Sequence, residues 1–121
     1  LAAAIDWLQA LPPAAHAHVA ALARLAAERL GEMPGVKVWG PPAEERISLV
    51  SFSVTGVHSH DVAQVLDGRG VSVRAGHMCA QPLMRRLGIE SAVRASFAPY
   101  NTVEEVQRLV EGVRAAQELF S

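Results

Sequence analysis

A chain of 121 residues and 12.9 kDa, half hydrophobic by count and with a mean hydropathy of +0.19, is enough polypeptide for one domain around one core. The composition excludes disorder, and the 19% of charged residues sum to a net charge of -1 with no basic run and no interleaving of basic and aromatic residues, which excludes nucleic-acid binding and attachment to acidic membranes. There is one cysteine, Cys79, and one lysine, Lys37. A single cysteine cannot close an intrachain disulfide, which sets the expectation of a cytoplasmic protein. About one residue in six is alanine, so the apolar content is mostly small side chains. No run of about 18 apolar residues offers a membrane span or a secretory signal, since Asp6, Pro12, Pro13, His16 and His18 interrupt the alanine-rich start.

From Leu1 to about Leu11 the apolar residues Leu1, Ile5, Leu8 and Leu11 recur at helical spacing, with no capping residue ahead of them. This pattern reads as a helix entered in mid-course, and the expectation is a piece of a longer protein. Pro12-Pro13 stops it. A second helix is predicted from about Ala14 to Leu30, with Val19, Leu22, Ala23, Ala26 and Leu30 on one face and Gly31 at its end. Pro34-Gly35 makes a turn into a short strand, Val36 to Trp39, and Pro41-Pro42 forms a loop before a longer strand from Ile47 to Thr55. There Val50, Phe52 and Val54 alternate with Ser51 and Ser53, so one face is buried and one is not.

Ser59 is the expected cap of a helix from about His60 to Gly68, with Val62, Val65 and Leu66 on its apolar side and Gly70 ending it. Val71 to Arg74 then reads as a strand, Ala75 to Gln81 as a loop, and Pro82 as the first residue of a short helix closing at Gly88. A last strand is predicted at about Val93 to Ala98. Thr102 and Glu105 form a capping box for a final helix with Val106, Leu109, Val110, Val113 and Phe120 in one stripe. No repeat or domain boundary appears in residues 1–121. The order implies an α+β fold: a small, mostly antiparallel sheet with helices packed on one face.

The chemistry concentrates in Val71 to Met84, VSVRAGHMCAQPLM. Arg74 stands at a strand end, Gly76 supplies flexibility, His77 precedes Cys79 by two residues, and a helix starts just after it. A guanidinium, an imidazole and a helix N-terminus each favour thiolate over thiol. A lone cysteine is ordinarily a small buried hydrophobe, but loop placement beside glycine, histidine and a helix start favours a reactive thiol. His58, His60, His77 and Cys79 match no closed zinc spacing, and His16 and His18 lie roughly 200 degrees apart around a helix, so metal binding is disfavoured. Arg94 shares its strand with Val93, Ala95 and Phe97, which point to the other face; it is either a solvated arginine or a clamp for a carboxylate. Phosphate-binding glycine loops, Gly-x-Ser-x-Gly and paired loop carboxylates are all missing.

The run RAGHMCAQPLMRRLG followed by VRASFAPYNTVEEV resembles the C-terminal small domain of the cysteine desulfurases of the SUF iron-sulfur assembly pathway. These are class V aminotransferase-like enzymes of pyridoxal-phosphate fold type I with an Arg-x-Gly-His-His-Cys-Ala loop. The resemblance implies conversion of L-cysteine to L-alanine, with Cys79 as the nucleophile that takes the sulfur as a persulfide and Arg94 as the arginine holding the substrate carboxylate. Arg74, Gly76 and His77 match the loop and shape the site. Asn101 matches a motif position to which no role is assigned. Met78 departs from the pattern, standing where the family commonly has a second histidine.

The resemblance further implies pyridoxal phosphate as cofactor, a homodimeric full-length enzyme and a sulfur-acceptor protein of the SUF system. The cofactor needs a lysine amine, and Lys37 lies outside the motif in a short strand, so no cofactor-binding residue is expected in residues 1–121. The expectation is a single small domain, inactive alone, whose cofactor-binding large domain lies upstream. A selenocysteine lyase or a cysteine sulfinate desulfinase would share this domain. A different class, a stand-alone sulfur-carrier or redox domain using Cys79 without cofactor, also fits the motif.

Overall fold

Two prolines set the first boundary in the structure, a computed structural model that describes residues 1–121. Helix α1 covers Ala2–Ala10 and α2 covers Pro13–Gly31, so Pro13 does more than stop a helix. At the first helical position its missing N–H is no loss and its fixed φ suits the turn. The expected face of α2 is buried, from Val19 through Leu30. That of α1 is not: Leu1, Ile5 and Leu8 are all exposed, and no residue of the helix is buried. Periodicity made the helix without supplying a surface to cover it.

The strands follow as β1 (Val36–Trp39), β2 (Leu49–Val54), β3 (Arg74–Gly76) and β4 (Ala92–Ser96), with α3 (Ser59–Asp67), α4 (Gln81–Leu87) and α5 (Val103–Leu119) between and after them. A single 3-10 turn, Ala43–Glu45, lies in the β1–β2 connection. Three expectations are corrected. The third strand starts at Arg74 rather than Val71, because the Val71 N–H is turned back to the Leu66 carbonyl at 2.9 Å and belongs to the turn that closes α3. The cap of α3 is His58, whose Nδ1 accepts from the His60 N–H at 3.2 Å, while Ser59 is buried and its hydroxyl donates to Ser91 Oγ at 2.6 Å. Phe120 falls outside the α5 stripe at the helix end, and Ala116 completes the buried row. The Thr102–Glu105 capping box forms as expected.

The four strands run in the order β1-β2-β4-β3, every pair antiparallel. Alternation sends Val50, Phe52, Val54, Val93 and Ala95 to one side, where α2, α3 and α5 cover them in a common core of 18 buried residues. This is the α+β arrangement that the element order implied. Gly112 on α5 lies directly over Leu66 of α3, and any Cβ there would run into the Leu66 side chain, so the two helices approach through the glycine.

The other side of the sheet carries no helix-facing core. Strand pairing aligns Trp39 with Ser51, Ser51 with Arg94, and Arg94 with Arg74, making one row across all four strands on this open face. Beside it, Trp39 Nε1 donates to Ser53 Oγ at 3.0 Å, and the Lys37 ammonium sits 4.1 Å from the centre of the Trp39 ring. Arg46, buried in the β1–β2 connection, ties the strand ends together by donating to the Trp39 carbonyl at 2.8 Å.

Candidate active site

Strand β3 is three residues long because its last residue, Gly76, has φ of +130°, a conformation that side chains rarely adopt. The chain leaves the sheet there and turns at once. Ala80 N–H donates to the His77 carbonyl at 2.8 Å, closing a four-residue turn with Met78 at φ 54° and Cys79 at φ 59°. Two consecutive positive φ values with this hydrogen bond are the signature of a type I′ turn. Helix α4 follows with Pro82 in its first turn; Met84 anchors it by burial, and Gly88 ends it in the left-handed conformation.

Cys79 is therefore an exposed free thiol at the corner of a tight turn, not a buried hydrophobe. His77 opens the same turn, also exposed, and borders a shallow cleft of about 390 Å³ with Gln81, Met84, Arg85, Ile89 and Glu90. Of the three groups expected to act on the thiol, neither Arg74 nor His77 is hydrogen-bonded to it, and α4 is only seven residues long.

Strand pairing brings together what the sequence separates by twenty residues. Arg74 and Arg94 are direct cross-strand partners on the open face, and neither has a carboxylate partner; the one salt bridge in the structure joins Arg24 to Glu28 at 2.9 Å. Like charges directly opposite each other in an antiparallel pair are destabilising. Arg94 Nε is also shielded from solvent without a hydrogen-bond partner. Arg94 is half-buried with an unused donor, Arg74 is its cross-strand partner on one side and Ser51 on the other, and guanidiniums with no acid beside them are suited to hold an anion. Sequence reasoning selected both arginines but not their pairing, and it missed Ser51.

Asn101 acquires a structural account. Its side-chain carbonyl accepts from the Ala98 N–H at 2.7 Å, its amide donates to Glu105 at 2.8 Å, and its backbone carbonyl accepts from His18 at 2.8 Å. It locks the turn between β4 and α5 and ties both to α2. The Asn101 amide, with the Thr102 N–H, holds the Glu105 carboxyl below the usual carboxylate range. His58 and His60 stack at 5.1 Å, and no three metal-ligating side chains converge. No helix is long and apolar enough to cross a membrane.

The lysine amine that pyridoxal phosphate requires is not found near Cys79. The only lysine, Lys37, lies over Trp39 on the edge strand, with β2 and β4 between it and the turn-bearing strand β3, where no Schiff-base partner for this site could stand.

Comparison with known proteins shows what the chain as a whole is similar to. The chain is 52% identical over 122 residues to probable cysteine desulfurase 2 of Mycobacterium leprae, covering 99% of this chain and 29% of that protein. It is 43% identical to a probable cysteine desulfurase of Staphylococcus epidermidis, over 100% and 30% respectively. The crystal structure of the cysteine desulfurase CsdA from Escherichia coli superposes with a TM-score of 0.88 at 38% identity, over 98% of this chain and 29% of that one. The apo cysteine desulfurase of Thermococcus onnurineus gives a TM-score of 0.73 at 41% identity, over 84% and 24%. The chain thus spans about 30% of the length of the curated relatives it matches. The aminotransferase class-V family model matches residues 1–109, through β4 with Arg94 and into α5, and the chain belongs to that family.

Proposed function

We propose that this chain is the small domain of a two-domain cysteine desulfurase, supplying the sulfur-accepting thiol and the substrate-carboxylate contact. The observation that carries the reading is the placement of the exposed Cys79 at the turn leaving β3, while Arg94, unpartnered, lies on the adjacent strand. Its relatives, named cysteine desulfurases at 43–52% identity, support the same reading.

In net terms, L-cysteine and the Cys79 thiol give L-alanine and a Cys79 persulfide. One S–S bond forms and one Cβ–S bond breaks; of the two thiol protons, one ends on the persulfide and one on the alanine methyl. Arg94 binds the substrate carboxylate through its planar fork, and Arg74 adds positive potential from the facing strand. Gly76 lets β3 end where the thiol must be presented. The exposed His77 imidazole, in the same turn, is the proton carrier we assign to the site. Pyridoxal phosphate and its lysine belong to a large domain outside residues 1–121. Following the resemblance, the full enzyme acts in the cytoplasm as a homodimer and hands its sulfur to an acceptor protein of the SUF system.

The test is made on the full-length holoenzyme supplied with L-cysteine. Alanine release, together with one added sulfur atom on the Cys79 peptide, is the expected result, and both are lost in Cys79→Ser. The 121-residue chain mixed with pyridoxal phosphate and L-cysteine releases no alanine. If it does, the two-domain reading fails. If the isolated chain alone takes sulfur from a small persulfide donor and passes it on, a carrier domain is the better description.

A further inference from the structure

Eight residues of the chain have positive φ, and six of them are glycines: Gly35, Gly40, Gly56, Gly70, Gly76 and Gly88. Glycine takes this conformation without steric cost, and the chain uses it nearly everywhere the conformation occurs. The two exceptions, Met78 and Cys79, are adjacent. At Cys79 the reason is evident, since a thiol is required. At Met78 it is not: the type I′ turn favours Asn or Gly at this corner, and a long unbranched side chain is disfavoured there. Such strain persists only where the surroundings enforce it, and it collects at functional sites.

The surroundings that enforce it are on both sides of the turn. Gly76 ends the β3 ladder, and the Ala80 N–H closes on the His77 carbonyl immediately before α4. Between these fixed points, rotation of residue 78 out of the left-handed region would re-aim the next residue, which is Cys79. We infer that Met78 is a positioning residue, whose contribution is its left-handed backbone rather than its thioether, and that this conformation sets where the Cys79 sulfur stands. The inference rests on the desulfurase reading and names a further determinant of the same site.

Three substitutions in the holoenzyme separate backbone from side chain. Asn and His tolerate the left-handed region several-fold better than most residues, whereas a β-branched residue is an outlier there. Met78→Asn and Met78→His are expected to raise the unfolding midpoint by about 1 °C and to keep kcat within about twofold. Met78→Val is expected to lower kcat by ten- to hundredfold, the scale of a sulfur misplaced by about 1 Å, with KM for L-cysteine unchanged. Because the Val variant also stresses the fold, its midpoint is measured, and the Asn variant carries the test if Val does not fold. Tenfold loss of kcat in Met78→Asn overturns the inference, as does wild-type kcat in a folded Met78→Val. So does a gain confined to Met78→His that brings a new ionisation into the pH–rate profile, since the side chain would then be what matters. A wild-type enzyme that puts no sulfur on Cys79 refutes the desulfurase reading itself and this role with it.

Discussion

Removing one of the two opposed arginines should make the domain more stable and its site weaker. Arg74 and Arg94 are direct partners across β3 and β4, with no acid beside either. With the guanidiniums taken about 6 Å apart, two like charges repel by roughly 0.7 kcal/mol in water, inside the ~0.2–1 kcal/mol range of cross-strand pairs. Arg74→Ala is therefore expected to stabilise the 121-residue chain by about 0.5 kcal/mol, a rise of roughly 2–3 °C in the unfolding midpoint at low salt. The gain should vanish in 1 M salt, where the screening length is only about 3 Å. In the holoenzyme the same lost potential raises KM for L-cysteine about threefold, 0.7 kcal/mol converted to an affinity. Thermal unfolding by circular dichroism at two salt concentrations, with steady-state kinetics on the full enzyme, measures both effects. A lower midpoint in Arg74→Ala, or a shift independent of salt, would show that Arg74 is held by contacts and that no uncompensated charge pair exists.

Other consequences are equally open to measurement. Gly112→Ala gains about 1 kcal/mol of helix propensity but drives a methyl into the fully buried Leu66, an overpacking cost of about 1–3 kcal/mol; urea unfolding should show net destabilisation, partly relieved when Leu66→Ala is added, and simple additivity would refute the clash. Glu105 is held below the ordinary carboxylate range by Asn101 and Thr102, so its contribution is present above the unfolded value and disappears as pH falls through the folded one. The unfolding midpoint should accordingly fall on acidification below that range, and Asn101→Ala should flatten the fall; parallel curves for the two proteins would contradict the assignment. Arg46 is buried, its Nε is unpartnered, and burial depresses its pKa. Arg46→Met keeps the packing and removes an unpartnered buried charge but also loses the hydrogen bond to the Trp39 carbonyl, so the two terms offset and stability should change by no more than about 1–2 kcal/mol in urea unfolding, whereas Arg46→Ala should cost more.

What the sequence made legible was local. The Thr102–Glu105 box, the left-handed Gly88 after α4 and the alternation of Val50, Phe52 and Val54 each depend on residues within a few positions, and each appears as expected. The Arg74–Arg94 pair depends on which strands become neighbours, and nothing local to either arginine encodes that. The left-handed turn was hidden for the opposite reason: residue preference argues against positive φ at Met78 and Cys79, and the fold overrides it. At α3 the preference for serine as a cap pointed to Ser59, but burial against Ser91 claims that hydroxyl and leaves the role to the imidazole before it. The apolar stripe of α1 shows how far periodicity reaches, since spacing builds a helix face without saying what lies against it.

The row Trp39–Ser51–Arg94–Arg74 also bears on how the sheet finds its pairing. Side chains alternate with a period of two, so a slip of β4 by one residue against its neighbours would turn Arg94 inward among Phe52, Val62 and Leu66 and push Val93 and Ala95 out into water. A guanidinium in that core would have no acid to meet it and little room. The residue assigned to hold a substrate carboxylate therefore also guards against misfolding, and a neutral replacement such as Arg94→Leu would cost the enzyme its grip on substrate while making the wrong register easier to reach.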